Sequence, residues 1–267
     1  MKTKVILFFA IFGLVGCEVV ESENSLPITL EEELNQVFVL PMNQPEGKLS
    51  RVIVYGGNSE QVDISREIRY PALGNITLEI LRDKNQDTVG IGLNYFSGTN
   101  LETSHFFNYE NGKPVWWSTK EYEYLSGNRI DKIFQTSAVK ERSLLAQYRY
   151  NSQNLLTQIE YPFLNGVELM VYEYDSLGRI SREWKSGAGQ EDFKIDYLVY
   201  RYNTKSLLEA KESGIRGIIS ENRQDAFQYF YNEKGRIIKQ KEFDPYFEFQ
   251  QKSWAEFFYY NQVGDQN

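Results

Sequence analysis

The stretch Tyr172-Glu-Tyr174-Asp175-Ser-Leu-Gly178-Arg179-Ile180-Ser-Arg-Glu-Trp184 is a unit that the chain repeats, and it leaves few folds open. Successive side chains of a strand point to opposite faces, so Tyr172 and Tyr174 share one face while Glu173 takes the other. Asp175 stands where a carboxylate accepts the N–H groups of the turn it opens, and Gly178 where a left-handed backbone costs nothing. The spelling is that of a hairpin built on a type I turn closed by a glycine bulge. Arg179 and Ile180 begin the return strand, which brings Trp184 back against the aromatic face.

The same unit recurs as Tyr122-Glu-Tyr124 leading to Asn128-Arg129-Ile130, Tyr148-Arg-Tyr150 to Asn154-Leu155-Leu156, Tyr200-Arg-Tyr202 to Ser206-Leu207-Leu208, and Tyr229-Phe-Tyr231 to Gly235-Arg236-Ile237. The turn-opening position holds Leu125, Asn151, Asp175, Asn203 and Asn232, and the left-handed position holds Asn128, Asn154, Gly178, Ser206 and Gly235. First tyrosines are offset by 26 (148−122), 24 (172−148), 28 (200−172) and 29 (229−200), so length variation falls in the opposite connections. Phe258-Tyr-Tyr260-Asn261 reads as a closing partial copy, and Phe107-Asn-Tyr109-Glu-Asn111-Gly112 as a degenerate early one with a two-residue Asn-Gly turn. A lone hairpin cannot shelter its apolar face, so such units hold together only by stacking in an array. Each fully buried aromatic or aliphatic side chain contributes roughly 1.5–3 kcal/mol, and the stability accumulates copy by copy.

The string Tyr172-Glu-Tyr174-Asp175-Ser-Leu-Gly178-Arg179-Ile180 resembles the YD repeat of RHS-type proteins, and the segment Tyr109 to Val115 resembles a MORN-type hairpin more loosely. The RHS resemblance covers Tyr122 to Phe243 and implies curling antiparallel sheet; no processing or toxin region accompanies it here. The expected fold is therefore all-β: an antiparallel meander of repeated hairpins forming a single twisted, curled sheet. One domain spans 37–267, irregular hairpins over 37–121 and YD-like repeats over 122–267. No amphipathic helix is expected, and Ser137 to Ala146 reads as loop or a short helical turn. Lys132, Arg182 and Lys239 follow Ile130, Ile180 and Ile237 at spacing two, so the return strands lack a clean apolar face. Glu123, Arg149, Glu173 and Arg201, on the face away from the tyrosines, alternate in sign from copy to copy, and ion pairs between them would run through the intervening strand.

At the amino terminus Lys2 and Lys4 precede an apolar run, Val5 to Val15, that ends in Leu14-Val15-Gly16-Cys17. This is a signal peptide, residues 1–16, with a lipobox. Its resemblance to bacterial lipoproteins implies cleavage before Cys17 and acylation there, which includes palmitate, and location in the cell envelope at the outer membrane. Residues 17–36, with Glu21, Glu23, Glu31, Glu32 and Glu33, read as a solvated acidic tether. The single cysteine allows no disulfide within the chain. The net charge of −8 becomes −10 once Lys2 and Lys4 are removed, which disfavours nucleic acid as a partner.

No catalytic set is spelled out. His105 is the only histidine, so a Ser-His-Asp or Cys-His arrangement has no second base to draw on, and neither a metal site nor any cofactor is expected. Candidate binding residues are Trp116 and Trp117, adjacent on a strand so that one lies on the less buried face, and Leu155 and Leu207, which replace Arg129, Arg179 and Arg236 of other copies. Asp175, Gly178, Asn232 and Gly235 are structural turn residues. Asp87-Thr88-Val89 and Asp175-Ser176-Leu177 resemble an O-glycosylation triplet. The expected role is a monomeric, non-catalytic binding or scaffolding surface for protein or glycan. A carbohydrate-active enzyme or sugar-binding accessory, and an immunity-like partner of an RHS-type toxin, are the alternatives.

Overall fold

The structure is a computed structural model that describes residues 29–57, 60–163, 166–187, 194–214, 222–246 and 249–259. Cys17, the signal peptide and Tyr260-Asn261 lie outside the described residues. One helix, α1 (Leu30–Phe38), precedes seventeen strands: β1 (Met42–Asn43), β2 (Leu49–Gly56), β3 (Val62–Pro71), β4 (Ile76–Arg82), β5 (Thr88–Ser97), β6 (Asn100–Glu110), β7 (Lys113–Leu125), β8 (Arg129–Ser137), β9 (Lys140–Tyr150), β10 (Leu156–Phe163), β11 (Gly166–Tyr174), β12 (Ile180–Gly187), β13 (Ile195–Tyr202), β14 (Leu208–Ser213), β15 (Gln224–Tyr231), β16 (Ile237–Asp244) and β17 (Gln250–Tyr259). Each strand from β2 onward pairs antiparallel with the next, and β17 pairs back onto β2 from Ser253↔Gly56 to Tyr259↔Leu49. The all-β meander of hairpins is therefore present, but the curled sheet does not stay open: it closes as a sixteen-stranded barrel. Closure removes the edges that an open sheet would leave exposed.

The turns follow their spelling. Asp175 Oδ1 accepts from the N–H groups of Leu177 and Arg179, both at 2.9 Å, while Gly178 N–H donates to the Asp175 carbonyl with φ of +74°. Asn151 and Asn203 each take the same two bonds, and Asn232 accepts from Arg236 N–H, before left-handed Asn154, Ser206 and Gly235. A further turn of this kind, opened by Asp83 and closed by left-handed Gln86, stands at the opposite end of the barrel. Asn111-Gly112 has positive φ at both residues, as the two-residue turn requires. Ser137 to Ala146, expected as loop, is instead the end of β8, a two-residue turn at Ala138-Val139 and most of β9.

A bulge one residue into the return strand explains the apparently broken alternation. Tyr174 pairs with Ile180 but Glu173 pairs with Arg182, so Ser181 is an extra residue and Ile180 and Arg182 point to opposite faces. The same shift occurs at Ile130/Lys132, Leu156/Gln158, Leu208/Ala210 and Ile237/Lys239. Cationic residues that spoil the apolar face at spacing two are thereby moved to the other one. On that face Arg182 pairs with Glu173, and the outgoing strands add Arg149 with Glu160 and Arg201 with Glu209, Glu212 and Asp225, while Lys239 lies over the Trp254 ring.

The bulge leaves the seam between consecutive hairpins unpaired at its end, and a phenol closes it. The hydroxyls of Tyr70, Tyr124, Tyr150, Tyr174, Tyr202, Tyr231 and Tyr259 donate to the carbonyls of Leu49, Leu101, Ile130, Leu156, Ile180, Leu208 and Ile237 at 2.7–3.0 Å. Each acceptor lies two residues past the last backbone pair of its seam, as Ile180 lies past Arg182↔Val199. On β5 the equivalent position is Phe96, and there the backbone serves instead, Phe96 N–H donating to Asn75 at 2.8 Å. The closing copy follows this register as Phe257-x-Tyr259, one residue before the spacing read from the sequence.

α1 overturns the reading of residues 17–36 as tether throughout. Thr29 caps it by accepting from Glu32 N–H while the Glu32 side chain accepts from Thr29 N–H. Leu34 and Val37 are buried against Leu78, Leu93, Ile91 and Phe107 in a core cluster over β4 to β6. The stretch is acidic on one side only, and its capping box was legible as Thr29-x-x-Glu32.

Two substitutions test this frame. Tyr202→Phe leaves the Ile180 carbonyl without its partner and lowers stability by about 1 kcal/mol, a fall of roughly 2–4 °C in melting temperature. Gly178→Val puts a β-branched residue at positive φ and costs about 1–3 kcal/mol, whereas Gly178→Asn, the residue found at positions 128 and 154, leaves thermal unfolding nearly unchanged.

Candidate functional site

The tyrosine face lines the inside of the barrel. One cavity, of about 340 Å³, touches both Met170 on β11 and Lys252 on β17, together with Glu183, Lys185, Asp196 and Phe227 from strands between them. On a flat sheet six strand spacings would put β11 and β17 about 29 Å apart. Only a sheet curled toward this face brings them to one cavity. The cavity sits at the end where the connections vary in length, and Tyr246, between β16 and β17, reaches across to donate its hydroxyl to Asp196 at 2.9 Å.

The wall of the cavity alternates aromatic and charged groups. Phe227, Phe243, Met170 and Leu198 give its apolar part. The charges come in pairs: Lys252 Nζ with Glu242 at 2.9 Å, Lys185 with Asp196 at 3.5 Å, and beneath them Lys211 Nζ with Glu183 at 2.9 Å. Glu183 also accepts the Tyr200 hydroxyl, and Glu242 accepts from Ser253. Burial first, and then the Glu183 hydrogen bond and charge, push Tyr200 far above the usual phenol range. Burial, with Glu183 second, pushes Tyr229 up to about 12, and burial with its tyrosine neighbours does the same to Tyr148. Tyr246 is raised chiefly by its hydrogen bond to Asp196.

The residues singled out in the sequence lie elsewhere. Trp116 packs against the α1 core and donates its ring N–H to Thr119, while Trp117 is 47% exposed, on β7 and away from the cavity. The two tryptophans are the extra residue pair of a bulge opposite Phe107. Leu155 and Leu207 are half-buried and do not form exposed apolar steps. In other copies Arg129, Arg179 and Arg236, at the equivalent place in the repeat, lie over the rings of Tyr150, Tyr202 and Tyr259. His105 is tucked between Tyr95 and Thr119, its Nδ1 2.8 Å from Thr119 Oγ1, and burial lowers its pKa against the pull of Glu33 and Glu121. Thr88 is half-buried and accepts from Arg82, whereas Ser176 is exposed on its turn. Among the described residues no group of three His, Cys, Asp or Glu side chains is placed to hold a metal. The cavity residues leave no mark in the sequence because they come in ones to threes from seven strands and one connection, and each reads alone as an ordinary strand or turn residue.

No protein-family model matches the chain, and no curated protein does. Among solved structures it is similar to a porin-like protein from Bacteroides uniformis at 9% identity and TM-score 0.39, covering 81% of this chain and 100% of that one. It is similar also to a chain of the Photorhabdus luminescens Tc holotoxin pore, at 11% identity and TM-score 0.31, covering 75% of this chain and 11% of that one. For the TcdB2-TccC3 toxin structure without its hypervariable C-terminal region the figures are 8% and 0.31, covering 66% and 9%. The chain spans only about a tenth of either toxin chain. With TM-scores this low, these likenesses decide nothing about function.

The buried tyrosines set the alkaline limit. A phenol whose folded pKa is raised stabilises the fold fully below its unfolded pKa near 10 and loses that contribution as pH rises through the folded value. Melting temperature should therefore fall steeply between pH 10 and about 12, where Tyr148 and Tyr229 titrate, and tyrosinate absorbance should appear together with unfolding and not ahead of it.

Proposed function

We propose that the mature chain is a lipid-anchored, non-catalytic binding module of the bacterial cell envelope: a barrel surrounded by water, held to the outer membrane through acyl groups on Cys17, that takes a sugar-sized ligand into its inner cavity. The carrying observation is the cavity itself. Its volume of about 340 Å³ is at the lower end for small-molecule sites. The faces of Phe227 and Phe243 beside fixed Lys–carboxylate pairs suit a ring that is apolar on one side and hydroxylated at its edge.

The barrel wall favours water over lipid on its outside. A transmembrane barrel needs an outward apolar band, and charges there are destabilising. Here the outer face carries Arg142 with Glu121, Arg149 with Glu160, Arg182 with Glu173 and Arg201 with Asp225, and the inner face carries Glu183 with Lys211. Neither face supplies a band for acyl chains. The lipobox then does what the strands do not, and attaches a water-surrounded domain to its membrane. The YD-like repeats serve as the scaffold that curls the wall.

A glycosidase reading draws less support. It needs two carboxylates facing one another, one of them able to give a proton. Of the four at this cavity, Glu183, Asp196 and Glu242 are each tied to a lysine and Asp244 accepts from the Tyr246 N–H, while Trp117, the exposed sugar-stacking candidate, is on another part of the barrel.

Calorimetric titration of the mature protein with a panel of neutral, amino and uronic mono- and disaccharides should give saturable heat for at least one class. Phe227→Ala and Tyr246→Ala should weaken that binding several-fold with little change in melting temperature. A flat titration across the whole panel would remove the glycan reading. Cys17→Ser should move the protein from the membrane to the soluble fraction.

A further inference from the structure

Most of the large apolar side chains that the barrel leaves exposed lie at one end, and the chain enters at that end. Val89 at the start of β5, Tyr109 at the end of β6, Val115 and Trp117 early in β7, and Val139 in the turn before β9 are 37–87% exposed. They come from consecutive hairpins of the same rim, with Gly90↔Asn108↔Val115 setting the pairing between β5, β6 and β7. The turn residues that flank them balance in charge, Asp83, Asp87, Glu110 and Glu141 against Lys84, Lys113, Lys140 and Arg142, and the acidic excess beside them comes from Glu31, Glu32 and Glu33 in the first turn of α1. Exposed apolar side chains scattered singly are ordinary, but a run of them on consecutive hairpins of one rim marks a contact surface.

The direction of α1 links this patch to the amino terminus. Glu31, in its first turn, lies 3.4 Å from the Trp116 backbone N–H, while beyond its far end Pro41 accepts from Ala72 at the opposite end of the barrel. The segment from Cys17 therefore joins the barrel beside Trp116 and Trp117. Thr29 stands twelve positions after Cys17, so the chain's entry to the rim stays within about 40 Å of the acylated cysteine however the chain runs.

We propose that this aromatic rim, Trp117 with Tyr109, Val89, Val115 and Val139, rests in the interfacial layer of the bilayer to which Cys17 is attached, and so sets the barrel's orientation on the membrane. The proposal rests on the lipid anchor of the previous section. Tryptophan and tyrosine favour the headgroup level, where one side of the ring is apolar and the other wet. Contacts too weak to bind from solution suffice when a tether makes them intramolecular. The barrel then stands with its variable end, and the mouth of its cavity, toward the lipid.

The test uses the full lipidated protein on phosphatidylethanolamine–phosphatidylglycerol vesicles whose acyl chains are brominated. Tryptophan emission should be quenched on brominated relative to ordinary vesicles. Trp117→Phe should lose most of that quenching, while Trp254→Phe should keep it. Val139→Asp, in an exposed turn where folding does not depend on it, should reduce the quenching of the wild-type tryptophans. Quenching unchanged by Trp117→Phe, or absent although the protein floats with the vesicles, overturns the proposal and leaves the rim to a protein partner. Failure of the wild-type protein to float at all overturns instead the lipid anchor on which it rests.

Discussion

A phenol hydroxyl reaching one hairpin back to an unpaired carbonyl is the contact on which the rest of this barrel depends. The bulge after each return-strand Ile or Leu stops the backbone ladder short, so a buried carbonyl would be left without a donor at every seam. Leaving such a group unsatisfied costs about 1–3 kcal/mol. The second tyrosine of each copy supplies the donor and at the same time places its ring between neighbouring copies. Phe96 shows the rule from the other side: where the ladder runs on through Asn75, a ring without a hydroxyl is enough.

The same bulge separates the two chemistries of the wall. By flipping the alternation between Ile180 and Arg182, it lets one short strand give an apolar residue to the inside and a cation to the outside. Outside, arginines and carboxylates pair in a solvated belt whose individual contributions are small. Inside, half-buried tyrosines and the Glu183–Lys211 pair form a polar lining around the cavity. In the reading proposed above, membrane attachment and ligand capture would fall to different parts of the molecule, the first to the acylated terminus and the neighbouring rim, the second to the lumen.

Local rules were legible in the sequence and non-local ones were not. Asn151, Asp175, Asn203 and Asn232 announce their turns because each satisfies its own backbone within four residues. The bulge escapes a period-two count because an extra residue leaves no mark except the misplaced Arg182 or Lys239. α1 escapes because an acid-rich run was weighed as a whole, although Thr29 and Glu32 spell a cap and Leu34 and Val37 a buried side. The cavity is less visible still, since Met170, Glu183, Phe227 and Lys252 meet only after the sheet has closed. The candidate residues that the sequence did offer, Trp117 and the two half-buried leucines, do not line the cavity.

Pairing of the last strand with β2 has a consequence for how the protein is made. Tyr259 meets Leu49, and Ser253 meets Gly56, so the closing seam joins segments about two hundred positions apart. While a nascent chain is being made, β2 keeps a bare edge until the ten residues of β17 arrive. Loop-closure entropy makes such distant pairings slow. The C-terminal strand acts as a latch, and a chain cut short before it would offer that sticky edge to any other unfinished copy nearby.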